Sequence, residues 1–503
     1  MFFLVLFYFL LGCVVSWLVI MGLLNTGIYQ RDAAPQAHHT HAGTVPPIGG
    51  VGLMAALTVI FLLCVFFFEP PVDGGPTLGI AVFLGAAAAF LLGLIDDFKP
   101  LGAKIKLLAQ IIIALLAHQG GLAIDQVVVP FTANSMELGV LGIGATVLWF
   151  VAMMNLINLI DGLDGLAGGV GLMLMILLAY LGIEGGAPFS YVVALVMTGA
   201  IVGFLFHNFP PAKVYMGDSG AYMIGFLIAA LSLINSEKGS IAAALIAPVM
   251  ALALPISDVL FAMIRRGLRG LPLFRPDQEH IHHQLLRSGF SRRNTVLLLY
   301  GISLLALVGG LVTFVAQGRN LPIFLGFAFV VVLFSMRGRK IASINGVRAY
   351  FTESMRSRHD ARNALQLRNW LILEAERADS GQNLWSDFRF VLKKMGFCRA
   401  ELHVGDETRS FYVPNTPHET PDELWQKRFE FSCDRNISLT LYAEKDHLTE
   451  QQFFLIAELA AEACLKAMCA WKQINGSDFS FTAEADDRGH NTSKKRRLYR
   501  PAY

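Results

Sequence analysis

Long apolar stretches separated by short polar breaks run from the first residues to about residue 336. A helix needs about 20 apolar residues to cross the hydrocarbon core of a bilayer. Stretches near 2–24, 48–68, 78–95, 103–121, 140–158, 166–183, 190–207, 220–235, 241–263, 295–315 and 321–336 meet that requirement and predict eleven spans. Several carry glycine, which membrane helices tolerate. The first stretch has no Lys or Arg before Arg31 and exceeds the ~7–15 apolar residues of a secretion signal, so it predicts a membrane helix. After residue 336 the pattern changes. Asn363–Arg377 and Leu448–Gln473 predict helices, and alternating runs near 400–404, 410–413, 428–433 and 437–443 predict short antiparallel strands.

The predicted architecture is therefore an all-α polytopic membrane domain over 1–336, followed by an α+β domain over 337–503. Charge sharpens this division. Only 16% of residues are charged, against about 25% in soluble proteins, and the deficit lies in the first domain. With the N-terminus outside, the external loops hold only Lys238 and Arg319 as basic residues. The internal loops then hold Arg31, Lys99, Lys213 and the cluster Arg265, Arg266, Arg269, Arg275, Arg287, Arg292 and Arg293. The positive-inside rule selects this orientation, and an odd number of spans places 337–503 in the cytoplasm. Cys13, Cys64, Cys398, Cys433, Cys464 and Cys469 form no paired ligand pattern and are expected to be reduced. A net charge of +2 gives no reason to expect nucleic acid. The terminal run Lys494-Lys495-Arg496-Arg497 reads as a solvated tail with some attraction to anionic lipid.

Polar clusters in the membrane half fall at predicted cytoplasmic helix ends. Asp96-Asp97 closes the third span, where two adjacent carboxylates repel and oppose the helix dipole. Asn155, Asn158, Asp161 and Asp164 recur at every third position, with Gly162 and Gly165 loosening the backbone. Acids at membrane depth are costly, which favours function for Asp161 and Asp164; Asn155 suits a hydrogen bond between helices. Tyr215-Met216-Gly217-Asp218-Ser219-Gly220 opens the eighth span, with Asp218 as either a helix cap or a functional acid. His280-Ile281-His282-His283 lies in the basic loop and suits anion binding better than zinc. Lys104 and Lys106 snorkel or reach a phosphate. The glycines of His41-Ala-Gly43-Thr-Val-Pro46-Pro-Ile-Gly49-Gly50 suit close packing. Acids and bases on one membrane face fit a hard divalent cation and a phosphorylated substrate.

These four clusters, in this order and spacing over about residues 1–320, resemble the polyprenyl-phosphate N-acetylhexosamine-1-phosphate transferase family. The resemblance implies a Mg²⁺-dependent reaction, with Mn²⁺ as substitute, in which undecaprenyl phosphate attacks a UDP-N-acetylhexosamine and UMP leaves. It implies Asp218, Asp161 and Asn158 at the metal, and Asp96, with Asp97 beside it, as base or lipid-phosphate positioner. It further implies Lys106 at phosphate, Asp164 and Tyr215 at uracil, and His280, His282 and His283 at the diphosphate or sugar. The histidine run followed by Gln-Leu-Leu-Arg287 resembles the WecA/TagO-like branch, which implies UDP-GlcNAc as donor. UDP-GalNAc, UDP-QuiNAc and UDP-MurNAc-pentapeptide are the alternative donors. The first internal loop departs from the family's Asp-Pro-Asn-x-Arg-Lys-type stretch and reads Gln30-Arg-Asp32-Ala-Ala-Pro-Gln-Ala-His38-His39-Thr-His41. Membrane lipid surrounds the site, and a homodimer or glycan-assembly partners are compatible with the chain. A transporter would place its acids near the midplane rather than at one edge, and an idle scaffold would not need every acid of the pattern.

Overall fold

The computed structural model describes residues 2–26, 45–67, 76–128, 135–237, 248–271, 281, 285–286, 288–315, 344–413, 424–432, 436–446, 448–475 and 479–481. The chain divides into two compact units, the larger carrying most of residues 1–348 and the smaller Ala349–Tyr503.

The larger unit is helical: α1 (Phe2–Thr26), α2 (Gly49–Phe67), α3 (Pro76–Phe98), α4 (Ala103–Gln119), α5 (Val140–Ile160), α6 (Leu166–Glu184), α7 (Pro188–Asn208), α8 (Gly217–Glu237), α9 (Ala253–Arg269) and α10 (Arg292–Val315). Among the described residues seven helices are long and apolar enough to cross a membrane, namely α1, α2, α3, α5, α6, α7 and α8. They are apolar on every side, the pattern of helices that face lipid or a core all round. Helix α4 has 17 residues, about 26 Å at 1.5 Å per residue, and carries Lys104, Lys106, Gln110 and His118. Helix α9 overlaps the expected 241–263 span and ends in arginines; Ser257 and Asp258 are buried on it while Leu260 and Ile264 are exposed. The expected span 321–336 lies outside the described residues. Gln126–Val128 (β1) and Ser135–Glu137 (β2) form a two-stranded antiparallel ribbon where a loop was expected.

Small residues let the helices close up. A Cβ on Gly12 of α1 would stand 2.0 Å from the Val196 carbonyl oxygen, and one on Gly199 of α7 would stand 1.9 Å from that of Phe9. Backbones this close are typical of small-residue membrane interfaces. Helix α8 is the most enclosed, packed against α3, α5 and α2. Phe226 of α8 meets Phe150 of α5 with ring centroids 4.9 Å apart. The helix with Asp218 in its first turn is thus the bundle's central post.

The smaller unit carries the long helix α11 (Ile344–Ala375, mostly within it), α12 (Gly381–Lys394), strands β3 (Arg399–Val404), β4 (Glu407–Tyr412), β5 (Leu424–Ser432) and β6 (Asn436–Glu444), and α13 (Glu450–Asn475). The sheet is antiparallel in the order β4-β3-β6-β5. Ala400, Leu402 and Val404 pair with Leu441, Leu439 and Ile437. These residues share one face and form a core with Trp385 and Phe388 of α12 and Phe453, Cys464 and Trp471 of α13. Ser380 caps α12 by accepting the Asn383 N–H. The described cysteines form no disulfide, and burial pushes the Cys464 thiol up to about 12, which keeps it inert.

Candidate active site

The C-terminal ends of α3 and α5 and the N-terminal ends of α4 and α8 meet at one end of the bundle. Asp96 is buried at the end of α3; its Oδ1 accepts the Leu101 N–H at 2.6 Å, and its Oδ2 lies 2.6 Å from Lys106 Nζ. The same ammonium stands 3.4 Å from Asp218 Oδ2. Lys106 therefore bridges the acid that closes α3 and the acid that opens α8. Lys104 is exposed.

Asp97 resolves the paradox of two acids at a helix C-terminus. Its Oδ1 accepts the Asp218 N–H at 2.8 Å and its Oδ2 the Ser219 N–H at 3.1 Å. The carboxylate that opposes the dipole of α3 faces the N-terminus of α8, where negative charge is favoured and free N–H groups need acceptors. The crossing depends on glycine. A Cβ on Gly93 would lie 2.3 Å from the backbone of Asp218 and Ser219. Gly217 has φ +75°, and a Cβ there would meet Asp97 Oδ2 at 2.6 Å.

Helix α5 ends at Ile160, so the Asn/Asp series divides into two parts. Asn155 pairs with buried Gln110 of α4, Nδ2 donating to Oε1 at 2.7 Å, which is the interhelical bond that its position suits. Asn158 Nδ2 donates to the Tyr222 hydroxyl at 3.0 Å, and that hydroxyl donates to Asp218 Oδ2 at 3.3 Å. Asp161 and Asp164 lie in the turn beyond the helix. Asp161 keeps some accessible surface yet is densely surrounded by protein. Burial, then the charges of Asp218, Asp97 and Asp164, push its carboxyl well above the usual carboxylate range. Asp164 Oδ2 accepts the Ala212 N–H at 3.2 Å and so ties its turn to the loop before Tyr215.

The Tyr215–Met216 loop is stitched to the start of α2. The Tyr215 N–H donates to Pro46 O at 3.0 Å, and Gly49 and Gly50 N–H donate to the Tyr215 and Met216 carbonyls at 2.9 and 3.0 Å. Burial raises the Tyr215 phenol above its ordinary value; Asp164 adds to this and Arg292 opposes it. His280, His282 and His283 lie outside the described residues. Ile281 between them is buried, and its N–H lies 3.2 and 3.3 Å from the two carboxylate oxygens of buried Asp258 on α9.

The structure thus gathers Asp96, Asp97, Lys106, Asn158, Asp161, Asp164, Tyr215 and Asp218 at one end of the bundle. Sequence reasoning missed Tyr222, Asn208 and Asp258. Buried Asn208 accepts the Gly165 N–H at 2.8 Å and donates to Val214 O at 2.7 Å, joining two of the site's turns. The available signal was a polar side chain buried in or at the end of a helix of the membrane half, which the sequence does not distinguish from an ordinary helix-packing contact.

The donor set suits a hard cation in kind and charge. It offers carboxylates and no thiolate, and Lys106 is the one ammonium bonded to them among the described residues. Among those residues no three acids, histidines or cysteines already converge as a metal cage. Mg²⁺ needs none, because it is usually held by one or two carboxylates together with substrate phosphates and water.

Residues 79–236 match the model of glycosyl transferase family 4. The chain is 34% identical over 313 residues to a probable undecaprenyl-phosphate N-acetylglucosaminyl 1-phosphate transferase of Bacillus subtilis, covering 62% of this chain and 84% of that protein. It is 30% identical to an undecaprenyl-phosphate alpha-N-acetylglucosaminyl 1-phosphate transferase of Thermotoga maritima, covering 54% and 78%. It is 31% identical to a phospho-N-acetylmuramoyl-pentapeptide-transferase of a Synechococcus species, covering 56% and 81%.

Proposed function

The chain belongs to glycosyl transferase family 4, in the WecA-like branch anticipated from its motifs, and on that premise we propose that it transfers N-acetylglucosamine-1-phosphate from UDP-GlcNAc to undecaprenyl phosphate. An oxygen of the lipid phosphate attacks the β-phosphorus, the bond to the UMP oxygen breaks, and the lipid-linked product begins a cell-surface polysaccharide. The observation that carries this reading is Asp161, whose charged neighbours are the carboxylates of Asp218, Asp97 and Asp164, while Lys106 is committed to Asp96 and Asp218. Such excess negative charge has no use at a membrane edge unless a cation and a phosphate arrive together.

Asp218, Asp161 and the Oδ1 of Asn158 would hold Mg²⁺, or Mn²⁺ in its place. When bound, that ion supplies charge neutralisation and Lewis acidity to the diphosphate. The chain's own groups do the rest. Asp96 orients the lipid phosphate or takes its proton. Lys106 offsets repulsion between the two phosphates, about 4 kcal/mol for unit charges 4 Å apart at an effective dielectric near 20. Asp97 holds the first turn of α8 and therefore Asp218. Asp164 and Tyr215 take the uracil, and His280, His282 and His283 take the diphosphate or sugar. Eleven spans with the N-terminus outside would put this end of the bundle, and the 337–503 domain, on the cytoplasmic side of a bacterial inner membrane. The nucleotide sugar is on that side.

Purified protein given Mg²⁺, undecaprenyl phosphate and UDP-GlcNAc is expected to release UMP, and Asp218→Asn to abolish most of it. A panel of UDP-GalNAc, UDP-QuiNAc and UDP-MurNAc-pentapeptide reads the donor. Sustained turnover by Asp218→Asn would remove Asp218 from the mechanism.

A further inference from the structure

Tyr222 follows Asp218 by one turn of α8 and is 1% exposed. Its ring is part of the core, but its hydroxyl turns to the site, between Asn158 Nδ2 at 3.0 Å and Asp218 Oδ2 at 3.3 Å. The polarity of this chain follows from the groups themselves. An ionised carboxylate only accepts, so the single hydroxyl proton goes to Asp218. The hydroxyl is then left with lone pairs facing Asn158, which must present its NH₂ and keep its oxygen turned elsewhere. Asp218 Oδ2 also takes Lys106, at 3.4 Å, so two donors from different helices converge on one oxygen.

We propose that Tyr222 is a positioning residue that sets the plane of the Asp218 carboxylate and the amide orientation of Asn158 before any ligand arrives. This inference rests on the assignment of Asp218 to the reaction. A carboxylate on the first turn of a helix has free torsions, and fixing them in advance removes an ordering cost from the reactive complex. A phenylalanine would fill the same volume. The hydroxyl therefore has no packing purpose, and burying it is tolerable only because both its contacts are made.

The test is Tyr222→Phe in the full-length chain in detergent, beside Asn158→Ala and the double variant. The expected results are a melting temperature within about 2 °C of wild type without ligand and a kcat about 10-fold lower, the size expected for one hydrogen bond to a charged group. KM values for both substrates should stay within about twofold. The rise in melting temperature caused by Mg²⁺ alone, without substrate, should fall to half or less. The double variant should be no slower than the slower single one, because both changes break one unit. Wild-type kcat in Tyr222→Phe, or losses that multiply in the double variant with the full Mg²⁺ effect kept, overturns the inference. Wild-type behaviour of Tyr222→Phe beside an inactive Asp218→Asn removes Tyr222 alone, whereas an active Asp218→Asn removes the reading beneath it.

Discussion

Asp97 accepts the backbone N–H of Asp218 at 2.8 Å, so the acid that ends one helix caps the helix that carries another acid. Asp97→Ala takes away both acceptors at once. Loss of a helix cap costs about 1–2 kcal/mol. The expected result is a lower melting temperature and a kcat reduced at least about 100-fold, since a 1 Å misplacement can cost that much. Asp97→Asn keeps one acceptor and should fall between Ala and wild type in both measurements.

Asp161 gives the pH prediction. Its folded-state carboxyl is raised above the ordinary value, so the folded protein binds that proton more readily than the unfolded chain does. Stability then falls as pH rises above the ordinary aspartate value of about 3.9 and goes on falling until the folded group has ionised. Asp161→Asn removes this penalty. The variant should melt higher than wild type in metal-free buffer, with a gap that widens from pH 4 towards pH 8, while UMP release is lost. A gap that narrows with pH would contradict the sign.

Asp258 holds the amide of Ile281, which lies between His280 and His282 in the chain. Asp258→Ala leaves the buried Ile281 N–H without that acceptor, a loss of about 1–3 kcal/mol. The KM for the UDP-sugar is expected to rise at least about fivefold, by the same magnitude for a lost anchor. Asp258→Asn, which keeps an acceptor oxygen, should recover part of it. Steady-state kinetics at saturating lipid reads the difference.

Asn155 is the contrasting case. It belongs to the Asn/Asp series, but its amide is spent on Gln110. Asn155→Leu should cost about 0.6 kcal/mol, the mean for such bonds between membrane helices, and leave kcat within about twofold. A large loss of kcat would place Asn155 in the site after all.

The acids were legible in the sequence because charge at membrane depth has few bland explanations. Asp161 and Asp164 declared themselves through that cost, Asp96 and Asp97 through their mutual repulsion at a helix C-terminus, and Asp218 only through the motif around it. Their partners did not. Tyr222, Asn208 and Asp258 belong to no motif or period, and only three-dimensional contact shows what each one bonds. The series from Asn155 to Asp164 looked like one stripe, yet α5 stops at Ile160 and Asn155 turns towards α4. In the smaller unit the four strands were visible from alternation. Helix α12 was missed although its buried positions Leu384, Trp385, Phe388, Val391 and Leu392 recur at helical spacing, because that pattern runs for only 14 residues.

Asp97 and Asp218 are 121 residues apart in the chain. At the usual 5–20 residues per second, a ribosome would need roughly 6–24 s to make that interval. Throughout that time Asp97 has no helix end to receive it, while Asp96 already has Leu101 and Lys106. Whatever shelters Asp97 during insertion, whether headgroup, water or the translocation machinery, must release it when the eighth helix arrives. Translation stalled anywhere between the two positions would leave a greasy fragment with a charged, unfinished rim, a natural target for membrane quality control.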